Sequence, residues 1–267
     1  MKEHQLAAWN AQLSKAIQLR GEDGFLMALE EALRCLVEFD ICMIFSYGMA
    51  QTVRNRYHNM PEDRASVVIK DYMAWPYLLD PFYQEAKAGR VAGFCSLRDI
   101  APDRFYQSEY FMQHYSRTAI ADEMGIFFKM PSGNTGVLSV TRQRPQRNFL
   151  PAEKARFSSA EALVRTLCFD HFSAQMDQTE TNEADKVPLA KDVIENTFQT
   201  FGQDRLSERE REVMVFVLKG HSTLSIALHL DITAGTVKNH RRNAYAKLGI
   251  SSQAELFSTF VSSLQEV

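Results

Sequence analysis

The sequence predicts an α/β protein: an N-terminal α-β-α sandwich with a mainly antiparallel sheet, followed by a small all-α domain. The sandwich is predicted because helical periodicity alternates with short β-branched and aromatic runs as far as residue 175. The all-α domain is predicted because capped, amphipathic segments without strand patterns follow one another from residue 205 onward. The chain therefore divides into two domains of different class.

The predicted sandwich has helices at both ends and strands between them. The helices cover Glu3 to Leu19, Gly24 to Glu38 and Ala152 to about Ala174. The strands cover Ile41 to Tyr47, Val53 to His58, Val91 to Ser96, Gly125 to Met130 and Gly136 to Arg142. The last two strands are joined by the turn-rich stretch Pro131 to Thr135 and form a hairpin. This order resembles domains of the GAF or PAS type, which can hold a small molecule between sheet and helices.

The composition is ordinary for a soluble globular protein of about two domains. The chain has 267 residues, of which 45% are hydrophobic and 24% charged, and its formal net charge is −3. The sequence shows neither a membrane segment nor the layout of a signal peptide, so we expect a cytoplasmic protein. Its cysteines lack a paired CxxC spacing, which predicts reduced, mostly buried thiols, no metal site and no cofactor.

A change of composition separates the two domains. Met176 to Val187 is polar and acidic, has no apolar period and is followed by Pro188. This pattern predicts a linker, within which Leu189 to Phe201 has the spacing of a short helix. The predicted ranges are 1–175 for the sandwich, 176–204 for the linker and 205–267 for the helical domain.

The helical domain has the plan of a helix-turn-helix. Ser207 and Glu210 form a capping box ahead of an apolar run, and Gly220 ends that helix. A short second helix fits Ser222 to Leu230, and the hydroxyl of Thr233 can cap the helix that follows. In this plan the second helix of the pair enters the major groove of DNA.

The helix from Thr233 to Leu248 has two chemically different faces. One face carries apolar side chains that can anchor it, namely Val237, Ala244 and Leu248. The other face carries small and polar residues: Gly235, Lys238, Asn239, Arg242, Asn243 and Ala246. The region between Ile232 and Ala254 has no acid, and its cations are Lys238, Arg241, Arg242 and Lys247. This charge pattern favours double-stranded DNA as a partner, the alternative being a solvent-exposed basic helix.

Many residues of the helical domain match one family pattern in register. They are Leu206-Ser207, Arg209, Glu210, Glu212-Val213, Gly220, Ser222, Ile226-Ala227, Leu230, Thr236-Val237-Lys238, His240 and Lys247-Leu248. The segment thereby resembles the DNA-binding domain of LuxR-type transcription factors. The resemblance implies groove-facing positions for Lys238, Asn239 and Arg242. It places three further residues nearer the phosphates: Thr236, His240 and Arg241. Asparagine can read adenine, and arginine or lysine can read guanine.

Two apolar features of this domain indicate partner surfaces. Where the family usually has Asn-Lys-Glu, this chain has Thr223-Leu224-Ser225, which leaves Leu224 available to a partner. Farther on, an apolar stripe at helical spacing consists of Phe257, Phe260, Val261 and Leu264. The stripe either packs in the domain core or pairs with a second copy, and a homodimer would match a two-fold DNA site.

The segment Lys70 to Leu97 is the predicted ligand pocket. It places aromatic side chains around a single carboxylate, Asp80; the pocket residues are Tyr72, Trp75, Asp80 and Phe94, accompanied by Tyr77, Phe82 and Tyr83. Aromatic walls with one polar anchor are the usual composition of a small-molecule site. Two alternatives stay open, because aromatics also form cores and Asp-Pro also starts helices.

The pair Asp80-Pro81 also resembles the Asp-Pro of the acyl-homoserine-lactone-binding domain of LuxR-type proteins. In those proteins the aspartate contacts the amide of the signal. This chain has Val67, and Phe94 or Cys95, where the family places tryptophans. The resemblance therefore implies a small-molecule effector that differs from a lactone.

Other classes of protein fit less well. A receiver domain would open with an apolar strand that ends in paired acids, whereas this chain opens with a helix. An enzyme would need a nucleophile with its base or a phosphate loop, and the sequence offers neither. We expect His58, His114 and His171 to be structural or surface residues. The sequence thus predicts a transcription regulator controlled by a small molecule, or a constitutive dimer whose N-terminal domain only mediates protein–protein interaction.

Overall fold

The structure, a computed structural model, describes residues 3–48, 53–115, 118–179 and 200–265. Contacts between Cα atoms divide the chain into two compact units. The first unit consists of Met1–Met73, Phe82–Ile100 and Ala119–Val187, and the second of Ala74–Pro81, Ala101–Thr118 and Pro188–Val267. Two short segments thus group with the C-terminal helices although they precede residue 175 in the sequence. Neither segment carries a compositional signal, so the predicted domain ranges do not anticipate this grouping.

The first unit is built on a five-stranded sheet with the order β2-β1-β5-β4-β3. The strands are β1 (Ile41–Tyr47), β2 (Val53–His58), β3 (Gly93–Ser96), β4 (Ile120–Lys129) and β5 (Thr135–Gln143). All neighbouring pairs are antiparallel, and β4 and β5 form the predicted hairpin. The predicted sandwich fold is therefore confirmed. β4 begins five residues earlier than the sequence pattern predicts.

Four helices pack on one side of this sheet, which we call the first face. They are α1 (Glu3–Gln18), α2 (Phe25–Leu36), α6 (Pro151–Ser159) and α7 (Glu161–Thr179). The predicted single helix from Ala152 to Ala174 is two helices, because the N–H of Ala160 bonds to the carbonyl of Phe157 and tightens the turn. No glycine or proline marks this break, so periodicity alone does not reveal it.

The first face carries a fully buried apolar core. Its strand residues, each at most 1% exposed, are Cys42, Ile44, Met124, Ile126, Phe128, Leu138 and Val140. Gly136 permits close packing there, since a Cβ atom at that position would lie within 2.5 Å of the ring of Phe128. The opposite side, the second face, is covered by α3 (Glu62–Ala74) and α4 (Pro81–Lys87). A short helix, α5 (Leu97–Ile100), follows β3.

The second unit contains four C-terminal helices: α8 (Glu208–Lys219), α9 (Thr223–Leu230), α10 (Ala234–Leu248) and α11 (Gln253–Gln265). Each predicted boundary of the first two has its physical signal. Ser207 and Glu210 form the capping box of α8, and Gly220 ends it with a φ of 92°. Ser222 caps α9 by accepting from the N–H of Ser225.

Two predictions from the sequence concern the region between the sandwich and the helix-turn-helix. The predicted linker overlaps the end of α7, which extends to Thr179. The predicted helix from Leu189 to Phe201 falls almost entirely outside the described residues. Within the part of the chain that the structure covers, no helix combines the length and the apolar character needed to span a membrane.

Candidate DNA interface and candidate ligand face

The helix α10 is positioned by caps at both ends. Thr233 accepts a hydrogen bond from the N–H of Thr236 at 3.1 Å, as predicted, and Gly249 closes the helix with a φ of 72°. Three residues, 231–233, separate α9 from α10, and Asp231 adopts a φ of 51° there. This tight connection fixes the angle at which α10 leaves the pair of helices.

The side chains of α10 divide between core and solvent as the pattern predicts. Val237 and Ala244 are buried, whereas Leu248, predicted as a third anchor, is half-buried. The predicted groove-facing residues Lys238, Asn239 and Arg242 are all exposed. Of the residues assigned to phosphates, Arg241 is exposed, and Thr236 and His240 are half-buried. The helix therefore presents a cationic, hydrogen-bonding surface on a rigid base.

One cation of the basic region, Lys247, forms an ion pair within the domain. The Lys247 ammonium lies 2.7 Å from the buried carboxylate of Glu210 and ties α10 to α8. Burial raises the pKa of Glu210, but the hydrogen bonds from Lys247 and from the N–H of Ser207 outweigh it and hold this pKa below its ordinary value. Lys247 is thus engaged within the domain, and the available cations of α10 are Lys238, Arg241 and Arg242.

The apolar stripe of α11 is largely covered within the second unit. Phe257 and Phe260 are buried, and the indole of Trp75 meets their rings edge-on at 5.7 and 6.2 Å between centroids. The ring of Phe201 packs on Phe260 from another direction at 5.5 Å. The apolar excess that favours pairing with a second copy is therefore reduced, and the homodimer stays a prediction.

A different apolar pair is exposed on α9. Leu224 is 69% and Leu228 83% exposed, and the two lie one turn apart on the first helix of the helix-turn-helix. Leu224 is the residue that the departure from the family pattern leaves free for a partner. Leu228 carries no comparable signal, because a leucine within an apolar run is ordinarily predicted as core.

The second face of the sheet carries a buried aromatic cluster. The hydroxyl of Tyr72, on α3, lies 2.9 Å from that of Tyr47 on β1, and its ring packs on Phe45 at 4.7 Å. Tyr83, on α4, meets Tyr47 at 5.4 Å. Phe82, also on α4, lies over Gly125, where a Cβ atom would come within 2.8 Å of the ring. These side chains form a compact layer between the sheet and its covering helices.

The four predicted pocket residues are not all on this face. Tyr72 lies in the cluster, but Phe94 belongs to the opposite face, where it packs at 6.1 Å against Phe157 of α6. The prediction that Phe94 lines the same pocket as Tyr72 is wrong because strand residues alternate between faces, so Cys95, not Phe94, is directed to the second face.

Trp75 and Asp80 both fall in the second unit. Trp75 packs on α11, as described above, and its assignment to a pocket wall stays a prediction. Asp80 is buried, donates its N–H to the carbonyl of Tyr77, and directly precedes α4, whose first residue is Pro81. Its position is that of a helix start, which is the alternative left open by the sequence.

Polar residues of β5 face the same covered surface and were not singled out by the sequence reading. Thr135, Ser139 and Thr141 are at most 6% exposed and alternate with the apolar residues Leu138 and Val140 of the first face. The Oγ1 of Thr141 is buried and has no hydrogen-bond partner among the residues that the structure describes. The spacing of these polar residues, with a period of two along the strand, was the sequence signal that could have identified them.

Comparison with known proteins decides the family. Residues 204–260 match the family "Bacterial regulatory proteins, luxR family". The "Putative HTH-type transcriptional regulator in exeN 3'region" of Aeromonas salmonicida is 34% identical over 187 residues, which cover 69% of this chain and 94% of that protein. The chain belongs to the LuxR-type transcription regulators. It is therefore a DNA-binding regulator and not an enzyme.

Two further comparisons concern the separate parts of this LuxR-type regulator. The response regulator TodT of Pseudomonas putida is 45% identical over 53 residues, or 20% of this chain and 23% of TodT. The solved structure "Crystal structure of VqsR LBD domain from Pseudomonas aeruginosa" is similar with a TM-score of 0.54 and 22% identity over 64% of this chain and 97% of that one. This second likeness establishes the fold of the N-terminal part.

Proposed function

We propose that this regulator reads DNA with the exposed side of α10. Lys238, Asn239 and Arg242 contact base edges in the major groove, and Arg241 contacts phosphates together with Thr236 and His240. The observation that carries the proposal is the exposure of these side chains on a helix whose opposite side is anchored by Val237 and Ala244. Bidentate donors on a rigid helix suit the recognition of guanine and adenine.

The test measures the affinity of the full chain for a duplex selected from a random library and for an unselected duplex. Lys238→Ala and Arg242→Ala should each weaken the selected duplex by about 1–3 kcal/mol. Arg241→Ala should weaken both duplexes alike and reduce the salt dependence. Arg205→Ala, which removes an exposed cation ahead of α8, is the matched control and should have little effect. Equal losses in all four variants would refute specific reading by α10.

We further propose that a small molecule bound at the second face of the sheet controls this activity. The supporting observation is that a fully covered surface carries hydroxyl groups as well as aromatic rings: Tyr47, Tyr72, Ser139 and Thr141. A surface that served only as core would gain from an apolar residue at Thr141, whose buried hydroxyl has no partner among the described residues, because buried polar groups cost free energy unless they are bonded.

The chemistry of this face restricts the class of effector. Phe45, Tyr72 and Phe82 line this face with aromatic rings, which would contact a flat or extended apolar body inserted between the sheet and its covering helices. Thr141, on β5, offers a hydroxyl that can donate to or accept from one polar group of that body. A mostly apolar molecule with one or two hydrogen-bonding groups fits both requirements, and a charged metabolite does not.

A second candidate function is supported by one specific observation. Phe82 lies directly over Gly125, so this part of the second face is filled by the protein itself. A self-filled layer suits an N-terminal domain that only mediates protein–protein interaction in a constitutive homodimer. The two candidates differ in the thermal response of the full chain to small molecules, since only a ligand-binding domain is stabilised by mass action.

Asp80→Asn separates two roles of that carboxylate. If Asp80 anchors an effector, the substitution should weaken stabilisation by the effector because an amide oxygen is a weaker acceptor than a carboxylate. If Asp80 only starts α4, asparagine is a comparably good cap and the effector should act as before. Thermal unfolding of both proteins with and without an effector distinguishes these roles.

A further inference from the structure

Residues 101–108 contact the turn between α8 and α9. The backbone N–H of Arg104 donates to the carbonyl of Gly220 at 3.0 Å, and the N–H of Ser222 donates to the carboxylate of Asp103 at 2.8 Å. A Cβ atom at Gly220 would lie only 3.0 Å from the Cα of Phe105. The segment is therefore held to the turn by two hydrogen bonds and by close backbone packing.

The carboxylate of Asp103 lies at the N-terminal end of α9. Unpaired N–H groups and the helix dipole make such an end favourable for an anion. Burial raises the pKa of Asp103, but the hydrogen bond from Ser222 outweighs it and holds this pKa below its ordinary value. Asp103 is accordingly ionised at neutral pH. The neighbouring His221 is neutral there, because burial lowers its pKa to about 4.

The same end of α9 is a place where a helix-turn-helix meets DNA. The first helix of the pair crosses the sugar-phosphate backbone, and backbone N–H groups at helix starts are common phosphate ligands. Arg241 of α10, assigned above to phosphates, lines the same cleft of about 70 Å³ as Arg104, Gln107 and Ser222. The segment thus covers the edge of the domain that a DNA backbone would approach.

We infer that residues 101–108 are an internal competitor for DNA, in which the Asp103 carboxylate takes the place of a DNA phosphate at the start of α9. One N–H group cannot serve a carboxylate and a phosphate at once, so tight DNA binding requires the segment to leave. The apparent affinity for DNA is then reduced by the fraction of molecules in which the contact is closed. This inference rests on the DNA-binding function proposed above.

The chain connects this segment to the sheet of the first unit: α5 ends at Ile100, and residues 109–119 lead on to β4. β3 and α5 precede it, β4 follows it, and β3 pairs with β4 through Cys95 and Gly125 at the second face. Differential binding of a small molecule to the open and closed states would then regulate DNA affinity.

The test compares DNA affinity of the full chain with that of Asp103→Ala and Asp103→Asn. Asp103→Ala should bind the selected and the unselected duplex about fivefold more tightly, which is the effect expected for loss of one hydrogen bond of the closed state. Asp103→Asn, whose amide oxygen still accepts from the N–H of Ser222, should show a smaller gain. Because removal of any acid raises the net charge, Asp71→Asn on the exposed side of α3 is the matched control. That control should bind as the wild type does.

Amide exchange at Ser222 provides a second readout that does not depend on DNA. In the wild type its N–H is bonded to Asp103, so Asp103→Ala should accelerate its exchange while circular dichroism stays unchanged. Equal DNA affinity of Asp103→Ala and Asp71→Asn, or unchanged exchange at Ser222, would overturn the inference. If wild type and both Asp103 variants all fail to bind either duplex, the DNA-binding assignment fails and the inference fails with it; a loss confined to Lys238→Ala and Arg242→Ala leaves both intact.

Discussion

The two faces of the sheet differ in chemistry although both are buried. The first face presents a mainly apolar core, with Ile126, Phe128 and Val140, to four helices, and the buried charges at its edge, Asp122 and Arg142, are hydrogen-bonded. The second face presents hydroxyl groups and tyrosines, including Tyr47 and Thr141, to α3 and α4. Burial alone therefore does not distinguish a core from a binding surface. The faces differ in whether their buried polar groups are bonded: Asp122 and Arg142 of the first face have partners, whereas the hydroxyl of Thr141 on the second face has none among the described residues.

On this difference rests our proposal that the two faces have separate tasks. An apolar face maximises the free energy gained from burial, and close packing such as that of Phe128 over Gly136 makes it intolerant of change. The second face gives up part of that free energy at Thr141, whose buried hydroxyl has no partner among the described residues, and this cost fits the effector site proposed above. Stability and effector binding should thus respond to different substitutions.

The largest effect is expected for Phe128→Ala on the first face. The ring is fully buried and stacks on Phe172 at 6.1 Å, so its loss leaves a cavity and should reduce the free energy of unfolding by about 3–5 kcal/mol. Denaturant unfolding followed by Trp9 fluorescence in a Trp75→Phe background reports on this unit. Phe128→Leu, the control, should lose less, and a loss below that of Tyr72→Phe would break the comparison between faces.

Acid pH should lower the free energy of unfolding by about 3 kcal/mol because of His171, which packs between the helices of the first face. It stacks on Phe25 at 4.3 Å, accepts from the N–H of Gly21, and burial lowers its pKa to about 4. Between pH 6.5 and about 4 the unfolded chain binds the proton and the folded chain does not, so the free energy of unfolding falls as the pH falls.

Unfolding measured at several pH values in that window should show the decline. His171→Gln, which cannot titrate, should flatten it, whereas an equal slope in this variant would assign the decline to other groups.

The smallest expected effect is an increase of about 1 kcal/mol in the free energy of unfolding, caused by a substitution on the second face. Thr141→Val replaces a buried hydroxyl that has no partner in the described part of the chain by a methyl group of similar size. Without an effector the variant should therefore be more stable than the wild type. Thr141→Ser, which keeps the hydroxyl, should show no gain. Destabilisation by valine would mean that this face is ordinary core.

The sequence predicts most of the helix-turn-helix of the second unit because the residues that start and end its helices act locally. Ser207, Gly220 and Thr233 each act within a few residues, and the exposed cations of α10 follow from its period. The predicted pocket was less accurate. Phe94 and Tyr72 are separated by strand register, which depends on pairing between β3 and β4 and not on composition.

Long-range contacts account for the remaining differences. Trp75 packs on α11, and Asp103 binds the turn before α9, although each lies more than 100 residues away in the sequence. Nothing in the neighbourhood of either residue signals such a partner. The alternation of Thr135, Ser139 and Thr141 along β5 was visible in the sequence but has the same appearance as a half-exposed strand.

The most direct test of the central claim is thermal unfolding of the full chain with a panel of N-acyl-homoserine lactones and uncharged aromatic metabolites. We predict that at least one compound raises the melting temperature of the wild type, that Tyr72→Phe reduces this stabilisation, and that Phe94→Leu retains it. Equal stabilisation of wild type and Tyr72→Phe, or a loss confined to Phe94→Leu, would contradict a binding site on the second face.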